Sequence, residues 1–420
     1  MSRESSVPET RTETATAPVS TKQTRRVALV GAIFLMATSA IGPGFITQTT
    51  TFTVSLGAAF AFGILMSILV DFVVQMNVWR IISVSGKRAH EIANTVVPGA
   101  GHLLAALVIL GGLVFNIGNV AGSGLGLNAA LGLNPKLGGA LSALIAISIF
   151  AVKRAGLAMD RLLIVLGLLM IALTVYVAIS SGPPVGDALR QTVLPERIDL
   201  AAITTIIGGT VGGYITYSGA HRLLDSGTTG PEHAREVTRA ALTGIAVTGL
   251  MRFVLFLAIL GVVAGGVVLD TKGNATAQAF GSAAGEFGTR AFGVVLWAAA
   301  ITSVIGAAYT SVSFFDAFSH RLAEPRTRSW ATVAFIVVTT VIFLFLGTAP
   351  AALLVFAGGF NGLILPIGFT ILLYAAWRRR ELLNGYRYPV WLLVLGGAVT
   401  ALTWYMGVTS TRSIFEYLAN

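Results

Sequence analysis

The sequence predicts an all-α integral membrane protein of about eleven spans, arranged as two inverted five-helix repeats with one further helix. Three observations carry this. Of the 420 residues, 55% are hydrophobic and only 11% are charged, against about 25% charged in a soluble domain. Apolar runs longer than about 18 residues recur along most of the chain, each long enough to cross a bilayer. Two of those runs, the first and the sixth, are interrupted by glycine clusters at mid-depth.

Residues 1–26 open the chain with Ser, Thr, Glu and Pro and lack the apolar stretch of a signal peptide. They read as a disordered cytoplasmic tail. The transmembrane domain then runs over 27–408. Its spans are read at 27–54, 57–82, 101–131, 137–152 and 160–181 for repeat one (about 27–181). Repeat two (about 199–376) holds 199–221, 238–268, 290–320, 330–347 and 350–376, and the extra helix is 389–408. Each is expected to be a helix, because backbone facing lipid must bond within its own segment. Residues 409–420 read as an extracytoplasmic tail.

Charge sets the orientation. The net charge of +10 sits in short loops between apolar spans, so it is a topology signal and not a nucleic-acid surface. With the N-terminus inside, the inner segments hold Lys87, Arg88, Lys153, Arg154, Arg235, Arg239, Arg326, Arg378, Arg379 and Arg380 among others. The outer segments hold only Lys136, Arg190, Arg197, Lys272, Arg290 and Arg412. The expected placement is a multi-pass protein of the cell (inner) membrane, N-terminus cytoplasmic and C-terminus outside. The chain has no cysteine, which excludes disulfides and thiolate metal sites.

The first break is Ile41-Gly42-Pro43-Gly44-Phe45 and the second is Gly208-Gly209-Thr210-Val211-Gly212-Gly213. Proline removes a backbone donor and glycine lowers the cost of leaving helical geometry. The freed groups then need a ligand, a water or a neighbouring helix. Two interrupted helices in corresponding positions are the pattern of a substrate site at the membrane midplane; close helix packing alone is the competing explanation.

On these residues the chain resembles the NRAMP family of divalent-metal transporters over most of its length. The family's Asp-Pro-Gly-Asn break falls on Gly42-Pro43-Gly44-Phe45. Its Ala-Thr-Val-Met-Pro-His stretch falls on Gly209-Thr210-Val211-Gly212-Gly213-Tyr214, and its Asp-x-x-Glu pair near Asn116-Ile117-Gly118-Asn119. The resemblance implies a LeuT-type fold. It also implies a metal site of Asp, Asn and Met, but those positions here are Gly42, Phe45 and Gly212. A divalent ion needs oxygen, nitrogen or sulfur donors that these side chains lack. The acidic pair used for proton movement is likewise replaced by Asn116 and Asn119. A divergent branch with the similar stretch Ala-Ile-Gly-Pro-Gly-Phe resembles this chain more closely, and its members are associated with enzymes of 5-oxoproline degradation.

The candidate substrate-binding set is Gly42, Pro43, Gly44, Phe45, Thr47 and Gln48 of span 1, Asn116 and Asn119 of span 3, Thr210, Gly212, Gly213 and Tyr214 of span 6, and Arg252 of span 7. Thr47 and Gln48 either meet a carboxylate or lactam, or bond backbone freed by the break. Tyr214 is read as the substrate-facing tyrosine and Tyr217 as packing. Asn116 and Asn119 share a helix face and either bridge helices or line the pathway. Arg252, charged at mid-depth, is a functional expectation by default: a counter-ion for an anion, or a partner of Asp71. His221, Arg222 and Asp225 read as an interfacial cluster or a proton relay. The sequence carries no phosphate-binding loop and no catalytic metal spacing, so neither an enzyme nor an ATP-driven pump is expected. The expectation is a symporter for a small organic solute, 5-oxoproline or a related carboxylate, with no cofactor beyond a coupling H⁺ or Na⁺. By analogy with the fold, Thr302-Ser303 and Thr310-Ser311 either supply oxygens to a coupling Na⁺ or bond the backbone one turn earlier. The alternatives are a divalent-cation carrier for Mn²⁺ or hydrated Mg²⁺, and a non-transporting membrane receptor or scaffold. The partners are the bilayer and a small molecule, not nucleic acid; the sequence does not specify an oligomeric state.

Overall fold

The computed structural model describes residues 29–33, 40–151, 155–319, 321, 324–346 and 349–418, and among these the regular structure is all helical. The expected tail 1–26 lies outside the described residues. Span 1 resumes after its break as Pro43–Leu56, span 2 is Phe60–Ser85, span 3 Ala100–Leu131, span 4 Pro135–Ala151 and span 5 Ala155–Ser180. Span 6 is split into Leu200–Val211 and Ile215–Asp225. Spans 7 to 11 follow as Ala234–Ala264, the helix ending at Val312, Pro325–Phe345, Pro350–Arg378 and Val390–Glu416.

By length and apolarity alone, eight stretches of the described residues qualify as spans, one of them the 43-residue run Pro43–Ser85. That run is two spans. Helical geometry stops at Gly57, with φ 57 and ψ −139, and the side chains of Phe45 and Asp71 both approach Arg252. A straight helix would hold residues so spaced about 39 Å apart, so the chain turns back at Gly57. Span 4 fails the length test because it has only 17 residues, about 25 Å of helix. Span 5 ends at a sharp bend of 105° into a short helix, Val185–Val193, where the sequence reading places a loop.

Three boundaries differ from expectation. The helix of span 8 begins far upstream at Ala275 but is broken at Ala284 and Gly285 (φ 63), so 275–283 is a separate loop helix. Span 8 then stops at Val312 instead of continuing to 320. Span 11 continues to Glu416, through most of the segment read as an outer tail.

Burial sorts the spans into layers. In span 6 the apolar window is 94% buried, whereas in spans 9 and 11 it is 28% buried. The interrupted span is therefore central, and spans 9 and 11 face the lipid. Leu144, Ile179, Leu250, Phe345 and Val408 are large apolar side chains left exposed, as a hydrocarbon solvent allows. Spans 3 and 8 cross the centre in close contact because glycine faces backbone: a Cβ on Gly126 would come within 2.5 Å of the Trp297 amide nitrogen. In the same way Gly208 of span 6 lies against the backbone of Gly358 and Gly362 in span 10.

Candidate functional site

At the first break Gly42 is extended (φ −96, ψ −175) and Pro43 occupies the first helical turn, where its missing N–H costs nothing. At the second, Gly212 is extended (φ −83, ψ 161), Gly213 is left-handed (φ 54) and the helix resumes after Tyr214. Gly213 answers two demands at once: only glycine adopts this conformation cheaply, and a Cβ there would collide with the Asn361 amide oxygen. Both second half-helices start at the breaks, which aims their positive ends at the centre of the bundle.

Neutral amides and hydroxyls surround these two points. Gln48, fully buried, donates from Nε2 to the Leu354 carbonyl of span 10 at 2.9 Å, and its Oε1 has no partner. Gly209 and Gly358 make room for it, since a Cβ on either would overlap the amide. Asn116 donates to Thr339 Oγ1 of span 9 at 3.0 Å, leaving its Oδ1 unpartnered. Asn119 lies beside the Tyr214 hydroxyl and its Nδ2 is unpartnered. Tyr214 is 1% exposed and meets Phe115 edge-on at 5.6 Å. Gly42 faces Ser303, whose Oγ would lie 2.7 Å from an added Cβ. Buried amide atoms without partners are rare in native proteins, and those of Gln48 and Asn119 belong to side chains beside Gly44 and Gly42 of the first break.

Sequence reasoning missed Asn361 in span 10. Its Nδ2 donates to the carbonyls of Gly111 (3.0 Å) and Ala357 (2.8 Å), tying span 3 to span 10, while its Oδ1 is unpartnered and turned to Gly213. The available signal was a lone amide in an apolar run, two residues after Gly358-Gly359, the same signal that singled out Asn116.

Other expected residues stand elsewhere. Thr47 is only half-buried, unlike Gly42 to Phe45 and Gln48. The Thr210 hydroxyl bonds the Ile206 carbonyl one turn back at 2.6 Å, and Thr302 likewise bonds Ala298 and Ala299. Tyr217 packs on Phe314 and His221, as expected of a packing residue. Arg252 makes no ion pair with Asp71 within 4.0 Å. Its guanidinium carbon lies 4.2 Å from the centre of the Phe45 ring, and Nη1 donates to the Ile206 carbonyl at 3.1 Å. It therefore reaches the first break through Phe45 and the sixth span through its backbone.

Away from the breaks, the ends of spans 2, 6 and 8 meet in a charged cluster. Arg88 pairs with Asp225 at 2.7 Å and with Asp316 at 3.4 Å, and His90 Nε2 lies 3.4 Å from the same carboxylate. His221 Nδ1 is 3.3 Å from Ser313 Oγ, and its Nε2 accepts from the Ala89 amide at 3.5 Å. Of the expected cluster, Asp225 and His221 thus serve contacts between elements, and Arg222 lies against Gly31.

A profile for the natural resistance-associated macrophage protein-like (Nramp) family matches residues 33–412. The chain belongs to the Nramp family. Members are transporters and not enzymes, and this protein is a multi-pass membrane transporter. It is 53% identical over 380 residues to the uncharacterised membrane protein YcsG of Bacillus subtilis, covering 90% of this chain and 93% of that one. An uncharacterised membrane protein of Haemophilus influenzae is 51% identical over 396 residues, covering 94% and 98%. Among solved structures, a mutant of the Eremococcus coleocola manganese transporter superposes with a TM-score of 0.72 at 17% identity, over 97% of this chain and 89% of that one. MhsT in complex with L-phenylalanine superposes with a TM-score of 0.65 at 16% identity, over 92% and 98%. These similarities establish the LeuT-type fold with its two inverted repeats and interrupted spans 1 and 6.

Within this Nramp chain Gly42, Phe45 and Gly212, the positions that the motif resemblance matches to metal ligands, have no donor side chain to offer. Gly42 faces a serine, Phe45 lies under a guanidinium, and Gly212 is pressed against the Gly208 and Asn361 carbonyls. Among the described residues no group of three or more His, Cys, Asp or Glu is gathered as a metal site.

Proposed function

We propose that this transporter is a secondary symporter of the cell membrane, N-terminus inside, that carries a small organic solute: 5-oxoproline or a related small carboxylate. The observation that carries the reading is the set of neutral amide atoms around the two breaks. Gln48 Oε1, Asn116 Oδ1, Asn119 Nδ2 and Asn361 Oδ1 are buried, neutral and unpartnered. Amides offer both a donor and acceptors, which suits a ligand carrying a lactam N–H and C=O. The two half-helix N-termini suit its carboxylate. Gly42, Pro43, Gly44, Phe45, Gly212, Gly213 and Tyr214 shape the site, Gln48, Asn116, Asn119 and Asn361 address its polar groups, and Arg252 supports it from behind Phe45. Thr47 and Thr210 contribute least, since one is only half-buried and the other is bonded to its own helix.

Family membership favours a second reading, transport of a divalent cation such as Mn²⁺. Against it stands the chemistry of the donors: a dication stripped of water needs compensating charge in a low-dielectric site, and the breaks hold none.

Ligand-induced thermal stabilisation of the purified protein separates the two. A ligand at about 100 times its Kd stabilises the folded state by about 2.7 kcal/mol. A panel of 5-oxoproline, other small carboxylates, Mn²⁺ and Mg²⁺ is expected to raise Tm with an organic acid and not with either metal. Stabilisation by Mn²⁺ alone would reverse the assignment.

A further inference from the structure

Near Arg252, whose guanidinium lies on the Phe45 ring, span 2 carries buried polar groups that the solute reading does not use. Asp71 of span 2 is 2% exposed and its Oδ1 has no partner. Gln75, one turn further along the same helix face, is fully buried with both amide atoms unpartnered. Arg252 is 1% exposed, and its Nε and Nη2 are unpartnered. We propose that Asp71, with Arg252 and Gln75, is a proton-binding site whose charge is sensed by both interrupted spans, and that it couples solute movement to protons. The inference rests on the transport reading and adds the driving ion.

The geometry argues against a structural ion pair. A pair kept only for stability closes to direct, often bidentate contact, because an open one leaves two buried charges poorly compensated. Here the two groups act on each other from beyond 4.0 Å. A Na⁺ site fits no better, since such a cation gathers several oxygens and Arg252 supplies positive charge at the same place. A proton needs only the carboxylate. On binding, an O–H bond forms at Asp71 as a hydronium ion gives up its proton and becomes water, with no change of oxidation state.

Arg252 is placed to report that event. With Asp71 neutral, the guanidinium is held as observed, on the Phe45 ring and the Ile206 carbonyl. With Asp71 ionised, the carboxylate competes for it and draws it from both. Phe45 belongs to the first break, and Ile206 lies in the half of span 6 that ends at the second. A charge change at Asp71 therefore alters contacts to both breaks, which is the differential contact that coupling requires. Among the described residues, Asp71 and Arg252 are the charges that act on each other here. Span 1 after its break and the first half of span 6 carry no ionisable side chain. On span 2 itself Arg80 is on Thr238; on elements against it, Tyr388 is on Asn77, Asp187 beside Arg190, Arg412 beside Glu416, and His221 on Ser313.

Two arms test this on the full-length protein in liposomes. Infrared difference spectra over a pH titration should show the carbonyl stretch of a protonated carboxyl in wild type, lost in Asp71→Asn and shifted in Asp71→Glu. This arm needs no solute, and a wild-type band that persists unchanged in both variants overturns the site. In the second arm, an inward gradient of about one pH unit should accumulate labelled 5-oxoproline about tenfold in wild type. The ratio of uptake with and without the gradient should fall to about one in Asp71→Asn. A variant that keeps the wild-type ratio overturns the coupling. Absence of 5-oxoproline counterflow in wild type with the band intact counts against the solute and leaves the proton site standing.

Discussion

At the scale of single residues the site is governed by the absence of side chains as much as by their presence. Gly44 shows how. A Cβ placed there would already sit 3.4 Å from Gln48 Nε2 and 3.7 Å from both the Leu354 carbonyl and the Phe115 ring. Gly44→Leu is therefore expected to abolish uptake, at an overpacking cost of about 1–3 kcal/mol; size-exclusion profiles and uptake assays on the same sample check both halves of that expectation. Asn361→Leu removes the donor serving the Gly111 and Ala357 carbonyls and should lower stability by about 1–3 kcal/mol, read as a drop in Tm in detergent. The break residues were legible because proline and glycine punctuate a chain wherever they fall. Asn361 was not singled out, although it carries the same mark as Asn116, because its value lies in reaching Gly213 from another span. Arg252 was legible as an expensive charge, but its companions were not all so. Phe45, Ile206 and Asp71 are brought to it by three separate spans, and nothing local in the sequence records that meeting.

At the scale of elements, the helix Ala89–Val96 carries a pH dependence. His90 on this helix faces Asp316 from the end of span 8, Glu91 and Arg88 from its own segment, His102 from span 3, and the Phe314 ring. Burial holds its imidazole below the ordinary value of 6.5, against the pull of the Asp316 and Glu91 carboxylates. The unfolded chain therefore binds more protons between that lower folded value and 6.5, so stability rises with pH through this window. The contribution is complete above 6.5 and is lost as pH falls through the folded value. Unfolding of wild type and His90→Gln from about pH 8 to about pH 5 should show wild type losing Tm relative to the variant on acidification. A constant difference would assign His90 a packing role only. Most spans were legible to within a few residues, because a bilayer enforces both length and apolarity. The helices Ala89–Val96, Val185–Val193 and 275–283 were not, since outside the membrane neither constraint applies.

At the scale of the whole molecule, orientation is the property the charges predict most directly. The chain has no cysteine, so single cysteines report without background. Lys272→Cys, at an exposed outer position by the charge rule, should react with an impermeant maleimide on intact cells, while Arg326→Cys should react only after permeabilisation. The opposite pattern would invert the topology. The fold class itself was readable from composition and from two interruptions one repeat apart. The cargo was not, because a fold hosts many functions and the site decides among them.

Transport of an organic acid on an Nramp scaffold, in place of a metal, is the central claim. Its most direct test is uptake into proteoliposomes of labelled 5-oxoproline, with Mn²⁺ influx followed in parallel under the same gradients. Accumulation of the organic acid without Mn²⁺ influx is the predicted result. Mn²⁺ influx without organic uptake would contradict it, and would mean that backbone carbonyls, neutral amides and water at the two breaks suffice to bind a dication.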